Sequence, residues 1–159
     1  MSHKSRLCQI PLPPYRFKKR ENPHPTQHPD GHFRNKVTLT CPDLGPDNWP
    51  ECQGYLFALD LFNHGYFWEC HEVLEDLWFA VKPGTAVRHF LQAFIQCTVT
   101  HWQASCGRDS AARSLLLRFP KHVEKAQGLH LGISIADLAA DTQAFVETPS
   151  PLPKELQPK

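Results

Sequence analysis

The chain has 159 residues, of which 41% are hydrophobic, and a formal net charge of +1, which suits one domain with extensions. No stretch has the roughly 18 uncharged apolar residues of a membrane-spanning helix, and the first ten residues carry no signal-peptide run, which predicts a cytoplasmic protein without a membrane partner. The six cysteines form no CxxC pair, so neither a zinc ribbon nor a thioredoxin-type site is expected.

Residues 1–49 predict a proline-rich, basic, extended arm. Nine of the fifteen prolines fall in the first 50 residues, and proline interrupts regular helices. Residues 1–36 carry eight Lys and Arg against two acidic residues. This charge favours contact with the acidic helices of the same chain over nucleic acid, since no aromatic stacking pattern or known reader motif accompanies it. Composition alone leaves open whether the arm is docked or loose.

Residues 50–147 predict an all-α domain, a small helical bundle of about five helices with short connections. Only Pro83 and Pro120 fall well inside it, and Pro120 should kink or split the fourth helix. The proline-rich tail, 148–159, predicts a disordered end. The predicted helices cover 50–63, 66–81, 86–105, 109–127 and 134–146.

The second predicted helix carries the densest group of chemically active side chains, in the stretch "GYFWECHEVLEDLW". With residues about 100° apart, His71 and Glu75 lie one turn apart at the border of the apolar face, with Glu72 beside them. Two ligands at this spacing on one helix can bind a single metal ion. A carboxylate at the core edge can also have a raised pKa and act as a general base.

The surroundings of this group complete the predicted site. Arg88 and Gln92, one turn apart on the third helix, would orient the carboxylate, and Arg88 would pair with Glu75. Two arm histidines would close the site as further metal ligands. The same helical geometry predicts that Glu69 and Asp76 point to solvent on the far side. The predicted roles are catalytic for Glu72 and Glu75, ligand-orienting for Trp68, Arg88 and Gln92, and metal-binding for His71, Glu75, His24 and His32.

The same pattern also has a purely structural interpretation. Acidic residues every three or four positions are typical of a solvated helix face, and His71 could hydrogen-bond Glu75 or a backbone carbonyl. His101, on the third helix, is expected to be a core residue rather than a ligand. Helical spacing therefore indicates where a site would lie without naming a reaction.

Several motifs resemble one family of small helical bacterial proteins. They are the Asn63-x-Gly65 turn, the run from Trp68 to Trp78, the run from Phe90 to Gln96, and His101. Over about 55–118 the chain is similar to the domain of unknown function 309 family. The pieces "LPPYRF", "PHP" and "PDGH" resemble the leader of its longer members, which extends the likeness to 12–146.

The resemblance implies an all-helical fold and a docked arm, since His24 and His32 fall in family-like pieces and His28 does not. It implies no activity. The chain departs from the family pattern at Ala93, where a glycine is typical, and at "CGRD", which replaces a Gly-Asn turn.

Two functions follow from the sequence. In one, a small-molecule site at the His/Glu cluster uses a divalent metal ion in a hydrolytic reaction. In the other, the protein is a non-catalytic helical module that binds a protein partner or forms a homo-oligomer with itself. The cluster is then a buried polar network that fixes helix register. Whether the protein is an enzyme stays open at this stage.

Overall fold

A computed structural model describes residues 5–148 and 152–159 of the chain. In this part the fold is all-α, a small helical bundle, as predicted; strand pairing is limited to an isolated bridge between His130 and Ser134. No helix in the described residues has the length and apolar character needed to cross a membrane. The elements are a 3₁₀ turn (Trp49–Glu51), α1 (Gln53–Asn63), α2 (Phe67–Ala80), α3 (Ala86–Ser105), α4 (Asp109–Leu115), α5 (Pro120–Lys125) and α6 (Ile135–Glu147).

The fourth predicted helix is split in two, as expected. Helix α4 ends at Leu115 and α5 begins at Pro120, which occupies the first turn of the new helix. Proline lacks the N–H that a continuing helix needs, while its fixed φ suits a helix start.

Helix α3 is the centre of the bundle, because it contacts α2, α4, α5 and α6. Its N-cap is Thr85, whose side chain accepts a hydrogen bond from the backbone N–H of Arg88, a standard arrangement at a helix start. Phe94 is fully buried against the ring of Phe62 from α1. Packing of this kind, rather than helix propensity, supplies most of the stability of short helices.

The described part of the arm docks on the bundle. Phe17 and Phe33 are buried, and the fully buried Asp60 of α1 anchors the beginning of the arm. The Asp60 carboxylate accepts hydrogen bonds from Arg6 Nε at 2.9 Å and from the backbone N–H of Leu7 at 2.9 Å. The basic arm thus lies on acidic residues of its own helices.

The tail was predicted to be disordered, but residues 152–159 lie extended against the bundle. The backbone N–H of Leu156 donates to Asn63 Oδ1 at 2.7 Å, and Asn63 Nδ2 donates to the Leu156 carbonyl at 2.9 Å. The backbone N–H of Lys159 donates to the carbonyl of Gly132. The Asn63 side-chain amide at the end of α1 thus provides both a hydrogen-bond donor and an acceptor for the backbone of this proline-rich segment. The domain limits at residues 49 and 148 stay predictions.

Candidate functional site

His71, Glu72 and Glu75 come together on the outer side of α2. One ligand atom from each residue lies within 4.8 Å of the others, and all three side chains are half-buried. Their spacing along the helix explains the grouping, because Glu75 lies three and four residues after Glu72 and His71, and side chains at these spacings are neighbours on a helix surface. Five cavities on the described surface are lined by other residues.

The orientation of the His71 ring is set by the backbone of its own helix. Nδ1 contacts the carbonyl oxygen of Trp68, and Nε2 lies 3.4 Å from Glu72 Oε1. A carbonyl oxygen only accepts, so Nδ1 must carry the hydrogen. In the neutral ring, Nε2 then has a lone pair that faces a carboxylate oxygen. Two acceptors at this distance need a proton or a metal ion between them.

The electrostatic environment of Glu72 differs from that of an exposed glutamate. Burial raises the pKa of Glu72, the neighbouring Glu75 carboxylate acts in the same direction, and His71 and Lys36 oppose both. A carboxyl group of raised pKa at the core edge can exchange a proton or become ionised when a cation binds.

Trp68 and Arg88, two of the three predicted orienting residues, have different surroundings. Trp68 is buried and contributes its carbonyl oxygen, and its ring packs on His71 at a centroid distance of 5.2 Å. The Arg88 guanidinium instead lies over the Trp78 ring at 3.8 Å and donates to the Val81 carbonyl. A planar guanidinium favours an aromatic face, and the predicted ion pair with Glu75 is not among the ion pairs of the described residues.

Gln92 is half-buried on α3, and its orienting role stays a prediction.

The two arm histidines lie apart from the cluster. His24 Nδ1 accepts a hydrogen bond from the backbone N–H of Thr26 at 3.4 Å, and its ring packs on Trp68 at 5.3 Å. His32 Nε2 lies 3.1 Å from Glu69 Oε1. Across 5–148 and 152–159, the group close enough to share an ion does not include either histidine. The positions of His24 and His32 therefore do not support their predicted role as metal ligands.

The prediction that Glu69 points to solvent is wrong. Glu69 is fully buried, because the arm covers the side of α2 that helical geometry assigned to solvent. Its Oε1 accepts a hydrogen bond from the backbone N–H of Phe17 at 2.9 Å, and Trp102 Nε1 donates to the Phe17 carbonyl at 3.0 Å. The aromatic and histidine residues of the arm are the sequence signal that this face is covered.

Asp76 is half-buried and forms an ion pair with Lys36 of the arm. The predicted solvent side of α2 is thus an interface with the arm at both of its acidic positions.

The comparisons with known proteins give a family-model match over the central helices. Residues 55–115 match the family model described as "Domain of unknown function (DUF309)". This segment covers most of α1 and all of α2, α3 and α4, and it contains His71, Glu72 and Glu75. No curated protein and no solved structure matches the chain.

Proposed function

We propose that the domain that matches the DUF309 family model over residues 55–115 binds a divalent transition-metal ion through His71, Glu72 and Glu75. We further propose that the bound ion supports hydrolysis of a small molecule. The family description supplies no activity, so the proposal rests on the chemistry of the three side chains.

One observation carries the proposal. The Trp68 carbonyl fixes the hydrogen on Nδ1 of His71, which leaves Nε2 as the ligand atom, 3.4 Å from a Glu72 oxygen. Metal-binding histidines commonly donate their other ring N–H to a carbonyl or carboxylate in this way. The contact that orients His71 is therefore the contact a metal ligand needs.

The donor set indicates the class of ion. One imidazole nitrogen and two carboxylates suit Zn²⁺, Fe²⁺ or Mn²⁺ better than Ca²⁺ or Mg²⁺, which bind through oxygen ligands. Three protein ligands leave coordination positions for water or substrate, as in catalytic metal sites. Ligand atoms up to 4.8 Å apart need only small rotamer changes to converge on one ion, because bonds from such ions to nitrogen and oxygen are about 2.0–2.2 Å long.

The proposed reaction assigns different tasks to the side chains. A bound divalent ion polarises a carbonyl or phosphoryl group and makes water more acidic. His71 and Glu75 hold the cation in place. Glu72 has two carboxylate oxygens, so it can hold the ion through one and accept a proton through the other; its raised pKa makes it a stronger base than an exposed glutamate.

The experiment is a metal-reconstitution series. Untagged protein is stripped with EDTA, dialysed, and titrated calorimetrically with Zn²⁺ and Mn²⁺, and bound metal is measured by elemental analysis. We expect about one ion per chain and at least 100-fold weaker binding in His71→Ala, because that substitution removes the only nitrogen ligand.

His28→Ala is the matched control, since His28 is an exposed histidine of the arm whose Nδ1 contacts Asp30. Its metal affinity should equal that of the unsubstituted protein. Absence of stoichiometric binding, or equal affinities in His71→Ala and His28→Ala, would overturn the proposal.

The second candidate is the non-catalytic interaction module. The observation that favours it is the same contact at 3.4 Å, because a doubly protonated His71 would form an ion pair with Glu72 without a metal. In that case His71→Ala would lower stability in EDTA, and added metal would leave the melting temperature unchanged.

A further inference from the structure

A second candidate site lies where the arm crosses α1 and α2. Two stretches of the arm, 10–14 and 32–39, enclose an apolar groove of about 480 Å³. The groove does not include His71, Glu72 or Glu75, so it is separate from the proposed metal site. Its lining residues are Ile10, Pro11, Leu12, Pro13, Pro14, His32, Phe33, Lys36, Val37, Leu39, Phe57 and Val73.

The walls of the groove are held in place on both sides. Three prolines in 10–14 restrict one wall, because each proline fixes its own φ. The chain just before them is anchored by hydrogen bonds from Leu7 and Cys8 to the buried Asp60. The opposite wall is pinned by the ion pair between Lys36 and Asp76 of α2. A concave site that exists before its ligand arrives is typical of small-molecule sites.

His32 is the polar residue of the lining that lacks a full set of partners. Its side chain is 6% exposed, and Nε2 lies 3.1 Å from Glu69 Oε1. Both ring nitrogens are buried, and neither has a hydrogen-bond partner in the described structure. Buried polar atoms are nearly always paired, and a neutral histidine that carries its hydrogen on Nε2, the nitrogen near the Glu69 carboxylate, keeps an acceptor lone pair on Nδ1.

The lysine in the lining is already paired with a carboxylate. Lys36 is paired with Asp76, and His32 contacts Glu69. An anionic ligand would find no uncompensated cation, whereas a neutral ligand would bury its carbon skeleton against the prolines and Phe33. The volume lies within the 300–1,000 Å³ typical of small-molecule sites.

We propose that this groove binds a neutral, apolar small molecule that carries one hydroxyl group. The carbon chain lies between the proline wall and Val37, and the hydroxyl donates a hydrogen bond to His32 Nδ1. A peptide from a partner protein or a second copy of the chain is the competing occupant that the experiment must separate.

The experiment uses octan-1-ol as the probe and methyl NMR of the full-length protein as the measurement. We expect saturable shifts confined to the methyl groups of the lining, such as those of Val37, Leu39 and Val73. Val37→Trp should weaken binding at least tenfold, because Val37 is 79% exposed and a larger side chain there fills the groove mouth without disturbing the core. Leu117→Trp is the matched control, since Leu117 is 84% exposed and lies outside the lining.

The role of the hydroxyl group is tested with octyl methyl ether, which keeps the chain and lacks the donor. We expect it to bind about fivefold more weakly than octan-1-ol, the effect of one neutral hydrogen bond. The proposal is overturned if the alcohol shifts methyl groups across the whole surface, if both tryptophan variants bind equally, or if the ether binds as tightly as the alcohol. A change of oligomeric state in Val37→Trp without alcohol binding to the unsubstituted protein would overturn it in favour of a protein occupant.

Discussion

Glu69 and Glu72 lie three residues apart on one helix and have opposite environments. Glu69 is fully buried, accepts a hydrogen bond from the backbone of Phe17, and contacts His32. The side chain of Glu72 is 24% exposed and shares its surroundings with His71 and Glu75. One carboxylate accepts a hydrogen bond from the arm and contacts an arm histidine, whereas the other is grouped with further potential metal ligands.

The arm creates this difference. It covers one side of α2 and supplies a backbone N–H and an imidazole to Glu69, while it leaves the side with Glu72 open to solvent. A buried carboxylate with such donors stabilises the fold, and removing it leaves its partners without compensation. A carboxylate at an open edge costs less to rearrange and can bind a cation. The same residue type therefore serves structure on one side of α2 and, in our proposal, metal binding on the other.

We expect the largest effect on stability from removing the buried carboxylate. We expect Glu69→Ala to lower the free energy of unfolding by about 3–5 kcal/mol, the usual cost of removing one member of a buried pair. The Phe17 N–H would lose its acceptor and the His32 ring would lose its carboxylate contact, so the arm should loosen as well. Urea unfolding measures the free energy, and limited proteolysis within residues 5–49 measures the loosening.

Glu75→Ala on the outer side of α2 is the comparison variant. In EDTA it should change the free energy of unfolding by about 0.5 kcal/mol or less, as is usual for surface substitutions away from structural features. Equal losses in the two variants would mean that the arm does not divide α2 into a structural and an open side.

His101 is a buried core histidine that can be compared with the two glutamates. His101 is almost fully buried among the rings of Phe62, Phe67 and Phe145, and its Nε2 lies 3.2 Å from Thr142 Oγ1. Burial lowers the pKa of His101 to about 3. The unfolded chain, with an ordinary histidine pKa near 6.5, therefore binds this proton at a higher pH than the folded chain does.

Stability should consequently fall as the pH drops below about 6.5, and the fall should continue toward pH 3. Each pH unit in that window costs up to about 1.4 kcal/mol, so acidification from pH 6.5 to 4.5 should cost about 2 kcal/mol through His101. Urea unfolding at a series of pH values measures the slope. His101→Gln should be less stable at pH 8 but should lose most of this slope.

His122 is the control for this pH experiment. Burial, with help from His89 and two lysines, also lowers the pKa of His122, but its ring is only partly buried. His122→Asn should therefore retain most of the acid sensitivity. An unchanged slope in His101→Gln would show that the buried ring is not the source.

The helices were predictable because their signals are local. Helix α3 spans 86–105 as predicted, since its apolar periodicity, the N-cap Thr85 and the following Gly107 all lie within or beside it. The grouping of His71 with Glu75 was predictable for the same reason, because four residues on a helix fix the distance between side chains. Both depend on interactions within one helix.

The predictions that were wrong concern contacts between segments far apart in sequence. Helical geometry put Glu69 opposite the core, and only the docked arm, 52 residues away at Phe17, reverses that assignment. Arg88 was paired with Glu75 by charge, yet its long side chain reaches the Trp78 ring instead. Asn63 holds the tail through bonds to Leu156, 93 residues away. Periodicity and local charge contain no information about which distant backbone will cover a helix face.

The smallest expected effect is a gain in stability, whereas Glu69→Ala is expected to lower stability. Burial raises the pKa of Glu72, so the folded state holds its proton more tightly than the unfolded state does. This contribution to stability is present at low pH and is lost as the pH rises through the folded pKa. Above the folded pKa the ionised carboxylate therefore destabilises the fold, and there Glu72→Gln should raise the free energy of unfolding in EDTA by a few tenths of a kcal/mol, within the usual range of surface substitutions.

The same substitution should weaken metal binding, because an amide is a poorer ligand than a carboxylate for these ions. Thermal unfolding with and without Zn²⁺ separates the two effects: Glu72→Gln should melt slightly higher than the unsubstituted protein in EDTA and lower than it with metal. A residue retained only for structure would give no such crossing, because its removal would act in the same direction under both conditions. If Glu72→Gln instead melts below the unsubstituted protein in EDTA, Glu72 resembles Glu69, and the open side of α2 is structural too.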